Sequence, residues 1–220
     1  MDDHSIQDER LTDALKELDV INRFLGGDAV SRKGLAVLMK RIPEHRPLSI
    51  LDVGSGGSDL THSLPADDRT LSLTSLDINF GACRYSRENH SGLSVVNGSV
   101  HFLPFKDRSF DIVHVSLFLH HFTETELKTI IASLDRVSRY GIVINDLRRS
   151  LFAYIGIVAL TQIFSSSGMV KNDGPVSVRR GFIRSELEQL CSQLPSVTYS
   201  IRRMWAFRWC VTIVKEHDAV

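Results

Sequence analysis

Asp52 interrupts the apolar run in ILDVG, and Gly54, Ser55 and Gly56 follow just after it, beyond Val53. Two glycines so placed turn a chain sharply and let a ligand lie against bare backbone. A dinucleotide fingerprint would need a third glycine at position 59, where this chain has Asp59, and no Gly-Lys-Ser/Thr follows to make a P-loop. A carboxylate beside the loop is poorly suited to a pyrophosphate and well suited to a cation. Asp77 ends a second apolar run. A carboxylate there accepts hydrogen bonds from both hydroxyls of a ribose, with Ile78 beside it to pack on an adenine face. Asp77 would serve a nicotinamide or a methionine nucleoside alike. Asp52 and the missing glycine favour the second, S-adenosylmethionine, which carries an ammonium and a sulfonium and no phosphate.

Methyl transfer from such a donor is an in-line displacement at a carbon that the sulfonium already activates. It asks for alignment and exclusion of water, and needs neither a metal nor a covalent nucleophile. An oxygen or acidic-carbon acceptor must still lose a proton. His120 and His121, in LHHF, and Asp146, in NDLRR, are the candidate bases. Packing is the competing role for the histidines, and His114, inside a strand pattern, reads as structural. Arg148 and Arg149 could hold a phenolate, carboxylate or enol; the competing role is a salt-bridged chain entrance.

The elements that must position these residues alternate along the chain. Leu11, Ala14, Leu15, Leu18 and Ile21 recur at helical spacing before a glycine stop, and a second helix is expected over about 28–41. Short β-branched runs at 48–54, 71–78, 93–98, 110–117 and 140–146 read as strands. Thr123 and Glu126 have capping-box spacing before a helix. Strands alternating with helices imply a parallel sheet covered on both faces. After an insertion over about 148–181, Ser185 and Glu188 are spaced to cap a helix, and two closely spaced strands follow, too close for anything but an antiparallel pair. The expected architecture is an α/β, Rossmann-like, mostly parallel seven-stranded sheet with a C-terminal antiparallel strand, in a single domain over 1–220. The apolar insertion, with Phe152, Tyr154, Ile155, Val158, Leu160 and Phe164, is expected to form a substrate lid, closed by a turn at Gly174-Pro175. Phe152 and Tyr154, with the arginine pair, are the candidate acceptor contacts. The segment suits a lipophilic acceptor and leaves room for a peripheral membrane contact.

The 220 residues carry 26 basic and 26 acidic side chains, so no overall positive field points to nucleic acid. Three scattered cysteines show no metal or redox spacing, and the acidic N-terminus is unlike a leader, so a reduced cytoplasmic setting is expected. The longest apolar run falls short of a membrane span. Oligomeric state is not written in the sequence.

The segments LDVGSGGSD, LDIN, NGSVHFLPFKDRSFDIVHVSLFLHHF and VINDLRR resemble the successive motifs of class I S-adenosylmethionine-dependent methyltransferases, closest to the ubiquinone/menaquinone-biosynthesis-like small-molecule enzymes. The resemblance covers about residues 48–147. It implies that Asp52, Gly54, Ser55 and Gly56 line the methionine end of the cofactor, Asp77 the ribose, Ser99 and Val100 the adenine edge, and that Ser116 lies near the sulfonium. Arg23, on the N-terminal helix, is placed to reach the cofactor carboxylate. Two departures stand out: Ser58 occupies the place of the motif's last glycine, and Ser99 that of an aspartate commonly facing the adenine amine. The acceptor implied is a phenol, quinol or polyketide-like molecule, with methylation at oxygen favoured over carbon. The alternatives are a non-catalytic cofactor-binding or adaptor protein on the same fold, and a nicotinamide oxidoreductase, for which no Tyr-x-x-x-Lys is present.

Overall fold

The structure, a computed structural model, describes residues 9–58, 60–64, 69–164 and 168–216. Asp59 lies outside the described residues, as do the side chains of Leu11, Ala14, Leu18 and Phe164. In chain order the elements are α1 (Glu9–Phe24), α2 (Gly27–Met39), β1 (Leu48–Val53), α3 (Leu60–Ser63), β2 (Leu71–Asp77), α4 (Phe80–Asn89) and β3 (Ser94–Asn97). Then come β4 (Phe110–Ser116), α5 (Glu124–Val137), β5 (Ser138–Leu147), α6 (Leu151–Phe164), α7 (Gly168–Arg180), α8 (Arg184–Cys191), β6 (Val197–Met204) and β7 (Arg208–Lys215).

One seven-stranded sheet takes the order β3-β2-β1-β4-β5-β7-β6. Every pairing is parallel except those of β7 with β5 and β6, so β7 alone runs against the rest. The expected hairpin forms: Ala206 and Phe207, with φ of 55° and 56°, make the tight reversal between β6 and β7. The structure adds the place where β7 docks, between β5 and β6.

Strand side chains alternate between two cores. Ile50, Ile112 and Val143 face Leu35, Leu38 and Met39 of α2. Leu51, Val113 and Ile142 face the opposite way, toward Leu127, Ile130 and Leu134 of α5 and Leu187 and Leu190 of α8. A Cβ on Gly34 would stand 2.4 Å from Val143 Cγ1, so α2 approaches β5 closely only because that residue is glycine.

The capping box at α5 is present: Thr123 N–H donates to Glu126 Oε2 at 2.8 Å, and Glu126 N–H to Thr123 Oγ1 at 3.4 Å. Two local expectations are corrected. Helix α8 begins at Arg184, before Ser185. Ile183 N–H donates to Glu186 Oε2 at 2.9 Å, while Glu188 pairs with Arg184 at 2.7 Å one turn away. Gly174-Pro175 makes no turn but lies inside α7, where the helix packs on α6 with Gly174 close to Ile157. That packing carries the helix past the hydrogen bond Pro175 cannot donate.

Candidate active site

The carboxyl ends of β1, β4 and β5 open into a cavity of about 250 Å³, roofed by α1, α6 and α7. Its floor begins at the glycine loop after β1. Gly54 and Gly56 have φ of 66° and 51°, left-handed values that glycine takes without strain. At Gly54 a Cβ would fall 2.2 Å from the Phe118 ring, so that side of the loop is filled by protein. At Gly56 the nearest atom to such a Cβ would be Leu15 Cδ2 at 3.7 Å. Ser55 and both glycines line the cavity. Ser58 is also left-handed (φ 64°), which explains why glycine suits this place; its buried hydroxyl donates to Ser86 Oγ at 2.9 Å.

Asp77, at the end of β2, ties the loop down. Its Oδ2 accepts the Gly56 N–H and its Oδ1 the Asn79 N–H, both at 2.8 Å. Asp77, Ile78, Ser99 and Val100 lie outside the cavity lining, along the neighbouring sheet edge. Ile78 is 47% exposed, Val100 is buried, and Ser99 Oγ accepts the His101 N–H at 3.3 Å.

Two buried histidine–carboxylate pairs stand at the cavity floor. Asp52 Oδ1 lies 2.7 Å from His114 Nδ1, whose Nε2 lies 2.9 Å from Ser31 Oγ. Asn145 Nδ2 donates to the same Ser31 Oγ at 3.0 Å. The second pair joins His120 Nδ1 to Asp146 Oδ1 at 2.7 Å. Asp146 also accepts Leu119 N–H (3.0 Å) and Leu147 N–H (2.7 Å). Burial works to raise the Asp146 pKa, but the His120 imidazole and these hydrogen bonds outweigh it and hold the carboxyl below the ordinary aspartate value. His120 lines the cavity, and its Nε2 is buried without a hydrogen-bond partner. His121 stacks on it with ring centroids 4.2 Å apart, and is itself exposed at the cavity edge. Ser116 and Leu117 complete the β4 end; Leu117 is held at φ 49° with its N–H on Asn145 O at 2.8 Å.

The structure therefore gathers Asp52, Gly54, Ser55, Gly56, Ser116, His120 and His121 around one cavity, with Asp146 directly behind His120. Besides Asp146 and the four residues at the neighbouring sheet edge, five further candidates are not in its lining. Arg23 pairs with Asp28 at 3.6 Å. Arg148 stacks over Phe207 at 5.0 Å, and Arg149 pairs with Glu186. Phe152 is 74% exposed and Tyr154 half-buried; from α6 the cavity receives Ile157 instead. Asn22, Ser31 and Arg208, none of them singled out in the sequence, also line it, as do Asp173 and Arg180 at the two ends of the charged stretch DGPVSVRR. For Arg208 a signal was available, a lone cation inside the apolar strand FRWCVTIV. Among the described residues no cluster of metal-ligating side chains occurs, and no helix is long and apolar enough to cross a membrane.

Comparison with known proteins agrees with this geometry. Residues 51–144 match the methyltransferase-domain family model. A demethylmenaquinone methyltransferase of Streptomyces avermitilis is 31% identical over 131 residues, covering 59% of this chain and 54% of the relative. The chain spans about half the length of the curated relatives it matches. Among solved structures, the plantazolicin methyltransferase BpumL, in complex with a substrate analogue and S-adenosylhomocysteine, superposes with a TM-score of 0.69 at 14% identity, covering 94% of this chain and 90% of that one. A SAM-dependent methyltransferase from Aquifex aeolicus gives 0.63 at 14% identity, covering 93% and 98%. Residues 51–144 thus resemble the methyltransferase-domain family, and the whole sheet has the fold of these methyltransferase structures.

Proposed function

We propose that the protein transfers a methyl group from S-adenosylmethionine to a hydroxyl oxygen of a small molecule with an apolar body, a phenol, quinol or polyketide-like enol, and that His120 takes the proton. The observation that carries this is the buried, unpartnered Nε2 of His120 on the wall of a cavity floored by Gly54, Gly56 and Ser116. An ionised Asp146 can only accept hydrogen bonds, so Nδ1 carries a hydrogen, and in the neutral ring Nε2 then keeps its lone pair. That arrangement is a positioned general base.

The residues fit the cofactor. The Asp77 carboxylate accepts the Gly56 and Asn79 N–H groups at the carboxyl end of β2, the place where a carboxylate meets ribose hydroxyls in such sheets. Gly56 lines the cavity with no side chain of its own, and the nearest atom in the direction of a Cβ is Leu15 Cδ2, so the loop's backbone borders the cavity directly. Asp52 turns its charge toward the cavity floor with His114 fixing it. When bound, the cofactor supplies a methyl carbon activated by its sulfonium, to which the acceptor oxygen bonds as the carbon–sulfur bond breaks. The chain does the rest: Asp146 orients His120, His120 Nε2 receives the hydroxyl proton, and Leu15, Leu25, Ile157 and Val176 pack on the acceptor body and exclude water. The relatives' name, demethylmenaquinone methyltransferase, supports an apolar quinone-like acceptor. The continuous sheet supports one domain, with α6 and α7 as its lid.

Calorimetric titration with S-adenosylmethionine, followed by methyl-transfer assays on apolar phenols and on a polar catecholamine, tests this. Binding of the cofactor and preference for apolar phenols are expected. No binding would favour an adaptor on this fold, and binding of NAD in its place an oxidoreductase; either result defeats the proposal.

A further inference from the structure

Arg208 is the charged group of the cavity that proton removal by His120 does not use. Its residue is 2% exposed, yet it lines the same cavity as His120 and Ser116. The guanidinium donates one side-chain hydrogen bond, to Asn145 Oδ1 at 3.3 Å, and its Nε is buried without a hydrogen-bond partner. The described residues give it no ion pair. Asp146 and Asp28 act on it through space. Asp146 is engaged with His120 and two backbone N–H groups, and Asp28 pairs with Arg23. Burial pushes its pKa down to about 10, which still leaves it a cation at neutral pH. Arg180, the other guanidinium of the lining, is not free.

A buried cation with so few partners is costly to the fold. Its planar fork of donors matches a carboxylate or a pair of neighbouring oxygens. Its anchor and that of the base are consecutive residues at the carboxyl end of β5, the strand on which β7 pairs: Asn145 holds Arg208 and Asp146 holds His120 from opposite faces of that strand, and both held residues line the one cavity.

We infer that Arg208 is an acceptor-binding residue, and that the acceptor carries an anionic or carbonyl oxygen beside the hydroxyl facing His120, as in an ortho-hydroxy aromatic acid or a cyclic enol. This rests on the methyl-transfer reading of the cavity. The apolar body of such a molecule packs on Leu15, Leu25, Ile157 and Val176, and its oxygen pair spans the two buried polar groups that the fold leaves incomplete. Arg208 then selects the acceptor, and His120 takes its proton.

The probes are 2-hydroxybenzoate and phenol, titrated into the full chain in the presence of S-adenosylhomocysteine, so that affinity is read without turnover. Tighter binding of 2-hydroxybenzoate by about tenfold or more is expected. Arg208→Gln should remove that preference and Arg208→Lys should keep part of it. Arg208→Met should melt no lower than the wild type, because an apolar side chain removes a buried charge that serves the ligand and not the fold. Equal affinity for both probes, a preference that survives in Arg208→Gln, or a fall of several degrees in the Tm of Arg208→Met would each overturn the assignment. Titration of S-adenosylmethionine alone is read separately: its failure defeats methyl transfer, whereas the anion site stands or falls on the probe preference.

Discussion

His114–Asp52 and His120–Asp146 are the same chemical pair built twice. In each, Nδ1 lies 2.7 Å from a carboxylate, and all four residues are no more than 5% exposed. They differ at the far nitrogen. His114 Nε2 meets Ser31, which Asn145 holds in turn, so the first pair is closed at both ends and links β1, β4, α2 and β5. His120 Nε2 has no hydrogen-bond partner in the protein, and its residue lines the cavity. A buried histidine–carboxylate pair is therefore not by itself a base: what its second nitrogen touches decides whether it braces the fold or accepts a proton.

The largest expected effects come from exchanging the fates of the two histidines. His120→Ala should slow methyl transfer to a weakly acidic phenol by about 10²- to 10⁴-fold while leaving S-adenosylmethionine affinity unchanged by calorimetry. A strongly acidic phenol, already ionised, should lose far less. His114→Ala should cost about 3–5 kcal/mol of folding stability in denaturant titration, because it leaves the Asp52 charge buried and unpaired. If His114→Ala were stable and slow, and His120→Ala left the rate of transfer unchanged, the roles would have to be reversed.

Asp146→Asn sharpens the same contrast. Asparagine no longer fixes the tautomer, and the rate should fall by about 10²-fold, below the His120→Ala effect in the extreme. Because the folded Asp146 titrates below its ordinary value of 3.8, its charge stabilises the fold above that pH. The contribution is lost as pH falls through the lower, folded value. The Tm difference between wild type and Asp146→Asn should accordingly be full at neutral pH and shrink below 3.8. A gap independent of pH would mean the carboxylate's charge is not what the pair uses.

Smaller effects belong to the cofactor edge. Asp77→Ala removes the acceptor for Gly56 and Asn79 as well as a ribose contact, and should weaken S-adenosylmethionine by about tenfold or more with a folded protein; unchanged affinity would take Asp77 out of the site. Ser58→Gly should change stability by less than about 1 kcal/mol, since relief of a left-handed serine offsets the lost bond to Ser86. A large loss on unfolding would show that the hydroxyl, not the backbone, holds this turn.

What the sequence alone determined is what local spacing can encode. The β1–glycine loop–β2 segment reads correctly because Asp52, Gly54, Gly56 and Asp77 owe their places to neighbouring backbone: a strand end, two left-handed glycines and the next strand end. The Thr123–Glu126 cap is equally local. His120 and Asp146 could be named as candidates from their strand ends, but not told apart from His121, since contact with Asp146 needs β4 and β5 to pair. The direction in which α6 faces was also beyond reach: an almost uniformly apolar helix has no stripe to orient it, and packing on α7 turned Ile157 inward and left Phe152 outside. Arg208 stood out in the sequence only as a lone cation in an apolar strand, and its place depended on tertiary structure. Only the docking of β7 between β5 and β6 brings it beneath Asn145, because a hairpin's turn fixes the pairing of its own two strands and says nothing of which edge receives them.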